Sequence, residues 1–127
     1  MNTSFFVLDV LLLSVFLCLR MKTTPLESEI QSAICDYLTM RGYLLIRMNN
    51  QPIFDPKFHG FRALPKYTPK GLADLLVVDK GHAVFLEVKR PGQKQRPDQL
   101  DFQKRCILAK ADYKVVHSVD DVVEFGL

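Results

Sequence analysis

Apolar and polar positions change their period several times along this chain, and each change marks an element. Phe5 to Leu19 is apolar almost throughout, with Asp9 set inside the run. Residues 23–42, TTPLESEIQSAICDYLTMRG, space Leu26, Ile30, Ala33, Ile34, Tyr37 and Leu38 as one face of a helix. Thr24 suits the N-cap, Pro25 the first helical position and Gly42 the end. Residues 43–48, YLLIRM, read as a strand of the buried type. Residues 49–70 hold Pro52, Pro56, Pro65 and Pro69, so no regular element is expected there. A loop of about 20 residues in a small domain points to a function. The alternation of Gly71–Arg90, GLADLLVVDKGHAVFLEVKR, predicts a β-hairpin turning at Asp79-Lys80-Gly81. A polar connection over 90–98 leads to a second helix over 97–111. Residues 113–118, YKVVHS, form another apolar strand, and VDDVVEFG a short closing helix. The order α-β-β-β-α-β-α predicts an α/β domain, a small mixed β-sheet flanked by helices.

A chain of 127 residues suits one core and one domain. The hydrophobic share of 48% is ordinary as an average, but residues 1–20 hold far more than their part of it. Residues 1–20 are therefore expected to be a hydrophobic, dispensable extension of a single domain at 21–127. Its apolar run is about 15 residues, short of the roughly 20 that span a bilayer. It lacks a basic start and a small-residue cleavage site, so it is a poor secretory signal. A weak membrane anchor, a signal, and translation starting at Met21 all stay open. Cys18, Cys35 and Cys106 are odd in number and show no CxxC spacing. Cys35 and Cys106 fall on apolar helix faces and read as core residues of a protein from a reducing compartment.

The hairpin carries charges that its apolar pattern does not explain. Phe85, Glu87 and Lys89 share one strand face, while Val84, Leu86 and Val88 share the other. A turn of three or four residues sets Asp74 opposite Leu86 or Glu87. Two carboxylates then meet at the open end of the hairpin, where partial burial makes a double charge costly. A divalent cation removes that cost, and Mg²⁺ needs only one or two carboxylates beside its waters. Lys89 next to such an ion would face a metal-bound water or a phosphate oxygen, which is equipment for phosphodiester hydrolysis. A plain Glu87–Lys89 ion pair on a solvated strand is the competing reading.

Gly71-Leu72-Ala73-Asp74 together with Glu87-Val88-Lys89-Arg90-Pro91 resembles the PD-(D/E)xK nuclease superfamily, and most closely its virus-type replication-repair nuclease (VRR-NUC) branch. The resemblance covers nearly all of residues 25–125. It implies a restriction-endonuclease-like fold and a Mg²⁺- or Mn²⁺-dependent nuclease. Asp74, Glu87 and Lys89 would be the catalytic centre, with the Val88 carbonyl as a further metal ligand. It also implies a first-helix glutamate with a glutamine one turn on, matched by Glu27 and Gln31. At ~100° per residue Glu27 falls inside the apolar arc, between Ile34 and Leu38, and Glu29 outside it. Glu27 would then act on the metal through water, although Thr24-x-x-Glu27 also fits a capping box. Gln99 sits amid an inward apolar face, where its amide needs a partner. The resemblance gives it a positioning role near the site, with Gln95 a looser match.

Net charge is only +3, but the excess is clustered. Arg47, Lys57, Arg62, Lys66 and Lys70 stand against Asp55 alone in residues 47–70. Residues 89–105 add Lys89, Arg90, Lys94, Arg96, Lys104 and Arg105 against Asp98 and Asp101. Arg47, Lys57, Arg62, Lys66, Lys70, Arg90, Lys94 and Arg96 are the expected nucleic-acid contacts, with Phe54, Phe58, Phe61 and Tyr67 interleaved. His59 reads as incidental, and His82 and His117 as structural or surface. The expected activity is a structure-selective DNA endonuclease acting on junctions, flaps or branches in replication, repair or recombination. The alternative is a catalytically silent nucleic-acid-binding domain on the same fold. A homodimer is expected if two strands are cut, and the location is cytoplasmic or on nucleic acid, with membrane anchoring through residues 1–20 as the weaker alternative.

Overall fold

A computed structural model describes residues 10–15, 24–48 and 52–127. Its elements are α1 (Glu27–Met40), β1 (Leu44–Arg47), β2 (Phe54–Asp55), β3 (Gly60–Phe61), β4 (Leu75–Asp79), β5 (His82–Val88), α2 (Pro97–Leu108), β6 (Asp112–Val116) and α3 (Val119–Phe125). Four strands form one sheet in the order β1-β4-β5-β6, and β2 and β3 form a separate ribbon. β1–β4 and β4–β5 are antiparallel, while β5 and β6 are parallel. The parallel pair needs a crossover, which α2 supplies. The expected mixed sheet flanked by helices is the fold observed.

Period-2 alternation divides the sheet into two buried faces. Leu75, Val77, Val84, Leu86, Val88 and Val116 point to one side and pack with Ile30, Ile34 and Leu38 of α1 and Val122 of α3. Phe85, Tyr113 and Val115 point to the other, where α2 brings Phe102 and Cys106. The Phe102 ring meets Phe85 edge-on at 5.4 Å between centroids. Both described cysteines are free, Cys106 buried and Cys35 half-buried, and burial pushes both thiols up.

Several expectations need correction. α1 begins at Glu27 with Leu26 as N-cap, and the Glu29 carboxylate accepts from the Leu26 N–H at 2.8 Å. Glu29, not Glu27, is thus the capping acid. Leu26 and Ala33 lie outside the buried face. β1 is an edge strand instead of a buried one, with Leu44 60% and Ile46 42% exposed. α2 packs beside β6 and does not reach β1, so this end of the face has no helix over it. The segment expected to lack regular structure contains the β2–β3 ribbon, pairing Phe54 with Phe61 and Asp55 with Gly60.

The hairpin turn is tighter than expected. Asp79 pairs with His82, so only Lys80 and Gly81 form the loop, both with positive φ (49° and 78°). That is a type I′ turn, whose twist matches the strands it joins. It sets Leu75 opposite Leu86, and so Asp74 opposite Glu87. Residues 10–15 are helical and exposed. Residues 1–9 and 16–23 lie outside the described residues, and with them most of the segment read as an extension or anchor. Among the described residues no helix is long and apolar enough to cross a membrane.

Candidate active site

Where β4 begins and β5 ends, the sheet opens into a cleft of about 1280 Å³. Asp74, Glu87, Lys89, Gln99 and Glu27 all line it, together with Gln31, Arg47, Lys70 and Arg96. Separate stretches of sequence converge here: the start of α1, the end of β1, the approach to β4, the end of β5 and the start of α2.

Asp74 is held from both sides. Its carbonyl accepts from the Met48 N–H at 2.8 Å, which ties it to the end of β1. Its Oδ2 accepts from the Val88 N–H, also at 2.8 Å, which ties the side chain to β5. A residue's N–H and C=O leave a strand on the same side, so the Val88 carbonyl faces the edge that Asp74 occupies.

Glu87 is fully buried (0% exposed) at the floor of the cleft. Its Oε1 accepts both from Lys89 Nζ at 2.8 Å and from the Gln99 amide. Its Oε2 is buried and has no hydrogen-bond partner. Native proteins rarely leave a buried carboxylate oxygen unpaired, because its desolvation is then uncompensated. Burial, first, pushes the Glu87 carboxyl up from the ordinary 4.5 to about 7. The Lys89 hydrogen bond opposes that shift, and the charges of Asp74 and Glu27 add to it. Lys89 is itself only 8% exposed, so the solvated-ion-pair reading of Glu87 and Lys89 fails.

Gln99 holds its place through local chemistry. Pro97 opens α2 and Gln99 is its third residue. Its Oε1 accepts from the Arg96 N–H at 2.9 Å, and this cap leaves the amide nitrogen to donate to Glu87. The positioning role expected of Gln99 therefore has a specific partner. Gln95 does not share it, since its amide faces the Tyr113 hydroxyl at 3.2 Å. Burial, and then the nearby Glu87 charge, push that phenol upward.

Gly71 has a function that sequence reasoning left as a motif letter. Its φ is +69°, and a Cβ there would lie 2.2 Å from the Asp98 carbonyl oxygen and 2.5 Å from the Gln99 nitrogen. The backbone before Asp74 thus presses directly on the first turn of α2, and only glycine permits both the contact and the conformation. This packing fixes Asp74 and Gln99 relative to each other. The glycine's position was legible, but its neighbour was not.

Of the expected nucleic-acid contacts, Arg47, Lys70 and Arg96 reach the cleft, and Lys57, Arg62, Lys66, Arg90 and Lys94 lie outside it. Arg47 Nη2 meets Gln31 Oε1 at 3.5 Å. Arg62 is engaged by Asp55 at 2.6 Å, and Lys66 Nζ lies 5.0 Å from the Tyr67 ring centroid. His59 is exposed in the turn between β2 and β3, while His82 pairs with Asp112 and His117 with Asp121.

Among the described residues, no three His, Cys, Asp or Glu side chains converge as a ligand set for a metal ion. Two carboxylates and a strand-edge carbonyl are what this corner offers. That donor set is all oxygen and suits a hard divalent cation that keeps several waters. The orphaned Glu87 Oε2 is the atom that such an ion would satisfy. Glu27 lines the same cleft.

No protein-family model matches the sequence, and no curated protein does. One solved structure, described as "VRR_NUC domain", aligns over 78% of this chain and 91% of its own, with a TM-score of 0.56 and 24% identity. The fold is that of a VRR_NUC domain. A likeness of this order reports architecture, and the chemistry rests on the residues of this cleft.

Proposed function

We propose that this protein is a metal-dependent nuclease that hydrolyses phosphodiester bonds, acting on DNA of irregular structure such as flaps, branches or junctions. The observation that carries the reading is Glu87, wholly buried beside Asp74 with one oxygen accepting hydrogen bonds from two donors and the other from none. A purely structural glutamate would be satisfied or exposed. The resemblance of the Gly71–Asp74 and Glu87–Pro91 motifs to VRR-NUC nucleases, and the shared fold, support the same assignment.

Asp74, Glu87 and the Val88 carbonyl would hold Mg²⁺ or Mn²⁺, with Glu27 acting through water. When bound, the ion would supply a Lewis acid for the phosphoryl oxygen and an acidified water. Gln99 and Lys89 fix the rotamer of Glu87 through Oε1, so that Oε2 stays directed at the ligand position. Lys89 brings a positive charge beside the point where phosphoryl charge develops. Arg47, Lys70 and Arg96 on the cleft wall would take the flanking phosphates, a contact that weakens with salt. Exclusion of water from Glu87 and Lys89 strengthens the interactions these two groups make.

Purified protein would be assayed on single strands, duplexes, flaps and four-way junctions, with Mg²⁺, with Mn²⁺ and with EDTA. The expected result is cutting that needs the cation, and a Glu87→Ala variant that binds the same substrates without cutting them. A wild-type protein that binds but never cuts with either ion would leave a catalytically silent binding domain.

A further inference from the structure

The β2–β3 ribbon reverses the usual rule of burial. Asp55 is 4% exposed, whereas its neighbour Phe54 is 53% exposed and the cross-strand partner Phe61 is 70% exposed. Alternation sends Phe54 and Phe61 to one face and Asp55 to the other, so the ribbon turns its acid inward and its rings outward. Phe58 in the connecting turn is 81% exposed, and Tyr67 beyond the ribbon 89%. Scattered exposed apolar residues need no explanation, but clustered aromatic ones mark a contact surface.

The ribbon is also braced to keep that shape. A ribbon of two residue pairs is not stable by itself. Asp55 Oδ2 takes the Arg62 Nε at 2.6 Å and Oδ1 takes the Lys57 N–H at 3.0 Å. The Arg62 N–H donates to the Ile53 carbonyl at 2.8 Å, and the Phe54 and Phe61 rings meet edge-on at 5.6 Å. Pro52 and Leu64, just outside its two ends, both line the cleft that holds Asp74 and Glu87. The aromatic surface is therefore rooted in the cleft rim; Lys57 shares the turn with Phe58, Lys66 Nζ lies 5.0 Å from the Tyr67 ring centroid, and Lys70 lines the cleft.

Resting on the reading of the cleft as a nucleic-acid site, we propose that this ribbon is its selectivity element: Phe58, with Phe54 and Phe61, stacks on unpaired bases next to the bond to be cut. Rings flanked by lysines match a strand that offers π-faces and phosphates together. Paired bases in a duplex keep their faces inside the stack, so the ribbon discriminates against them.

The chain contains no tryptophan, so Phe58→Trp gives a single indole at the turn. Its fluorescence would be read in EDTA during titration with single-stranded DNA, single-stranded RNA, a flap and a blunt duplex. Quenching by the single strands and the flap, and none by saturating duplex, is the expected result; the DNA and RNA arms show which strand is preferred. Phe58→Ala should weaken single-strand binding about tenfold and leave duplex binding unchanged. Equal quenching by duplex, or no quenching by any strand, overturns the proposal. Because binding is measured without metal, cation-dependent cutting with no single-strand preference would sink the ribbon inference alone, and selective quenching without cutting would sink the nuclease reading alone.

Discussion

Glu87→Gln separates the charge of the buried acid from its shape. The glutamine oxygen can still accept from Lys89 and Gln99, and its NH₂ takes the place of an atom that has no partner now. What changes is titration. Burial raises the folded-state value from 4.5 to about 7, so the native state holds the proton more tightly than the unfolded chain does. The stability from this group is complete below pH 4.5 and is lost as pH rises through 7. At 1.36 kcal/mol per pH unit, metal-free wild type should lose about 2–3 kcal/mol between pH 5 and pH 8 that the variant does not lose. A fixed cost of leaving Lys89 without its counter-charge falls on the variant at both pH values alike, so it drops out of the change between them. The assay is urea denaturation of both proteins in EDTA at the two pH values. The variant's stability relative to wild type should improve by that amount at pH 8. Millimolar Mg²⁺ should then stabilise wild type and not the variant. An unchanged difference between pH 5 and pH 8 would refute the account of Glu87 as a buried, strained charge.

Other outcomes follow from the same geometry. Gly71→Ala meets both a positive φ and the Asp98 backbone, so it should cost about 2–4 kcal/mol in denaturation and depress cleavage as Asp74 and Gln99 separate. Lys89→Met keeps the packing and removes the charge, and should lower kcat about 100-fold or more while substrate affinity changes little, checked by single-turnover kinetics. Gln99→Leu should lower kcat more modestly, roughly tenfold, and shift its pH profile because Glu87 loses a donor to Oε1. Lys80→Asn places a residue tolerant of positive φ in the type I′ turn, and thermal melts should show a gain of about 0.5–1 kcal/mol with cutting unchanged.

Local pattern determined a large part of this protein. Hairpin alternation is set by the two-residue period of a strand, so the sequence alone puts Glu87 and Lys89 on one face. Helical spacing gave α1 and α2, and turn chemistry placed the reversal at Asp79-Lys80-Gly81, although pairing of Asp79 with His82 shortened the loop to Lys80-Gly81. The motif around Asp74 and Glu87 carried the chemistry because those residues act where the hairpin itself brings them. Properties that depend on what lies across the molecule were not legible. YLLIRM is apolar enough for a buried strand, yet β1 is an exposed edge because α2 packs beside β6 instead of over it. Glu27 and Glu29 compete for one cap, and only the start of α1 at Glu27 decided that Glu29 takes it and Glu27 faces the cleft. Gly71 was legible only as the first position of the Asp74 motif, because the α2 backbone that requires a glycine there comes from a distant part of the chain. The inverted ribbon could not be read either, because an apolar-polar alternation names two faces without saying which one is turned toward the protein. Side-chain period is a property of the chain alone, whereas burial and partnership belong to surfaces that meet only after folding.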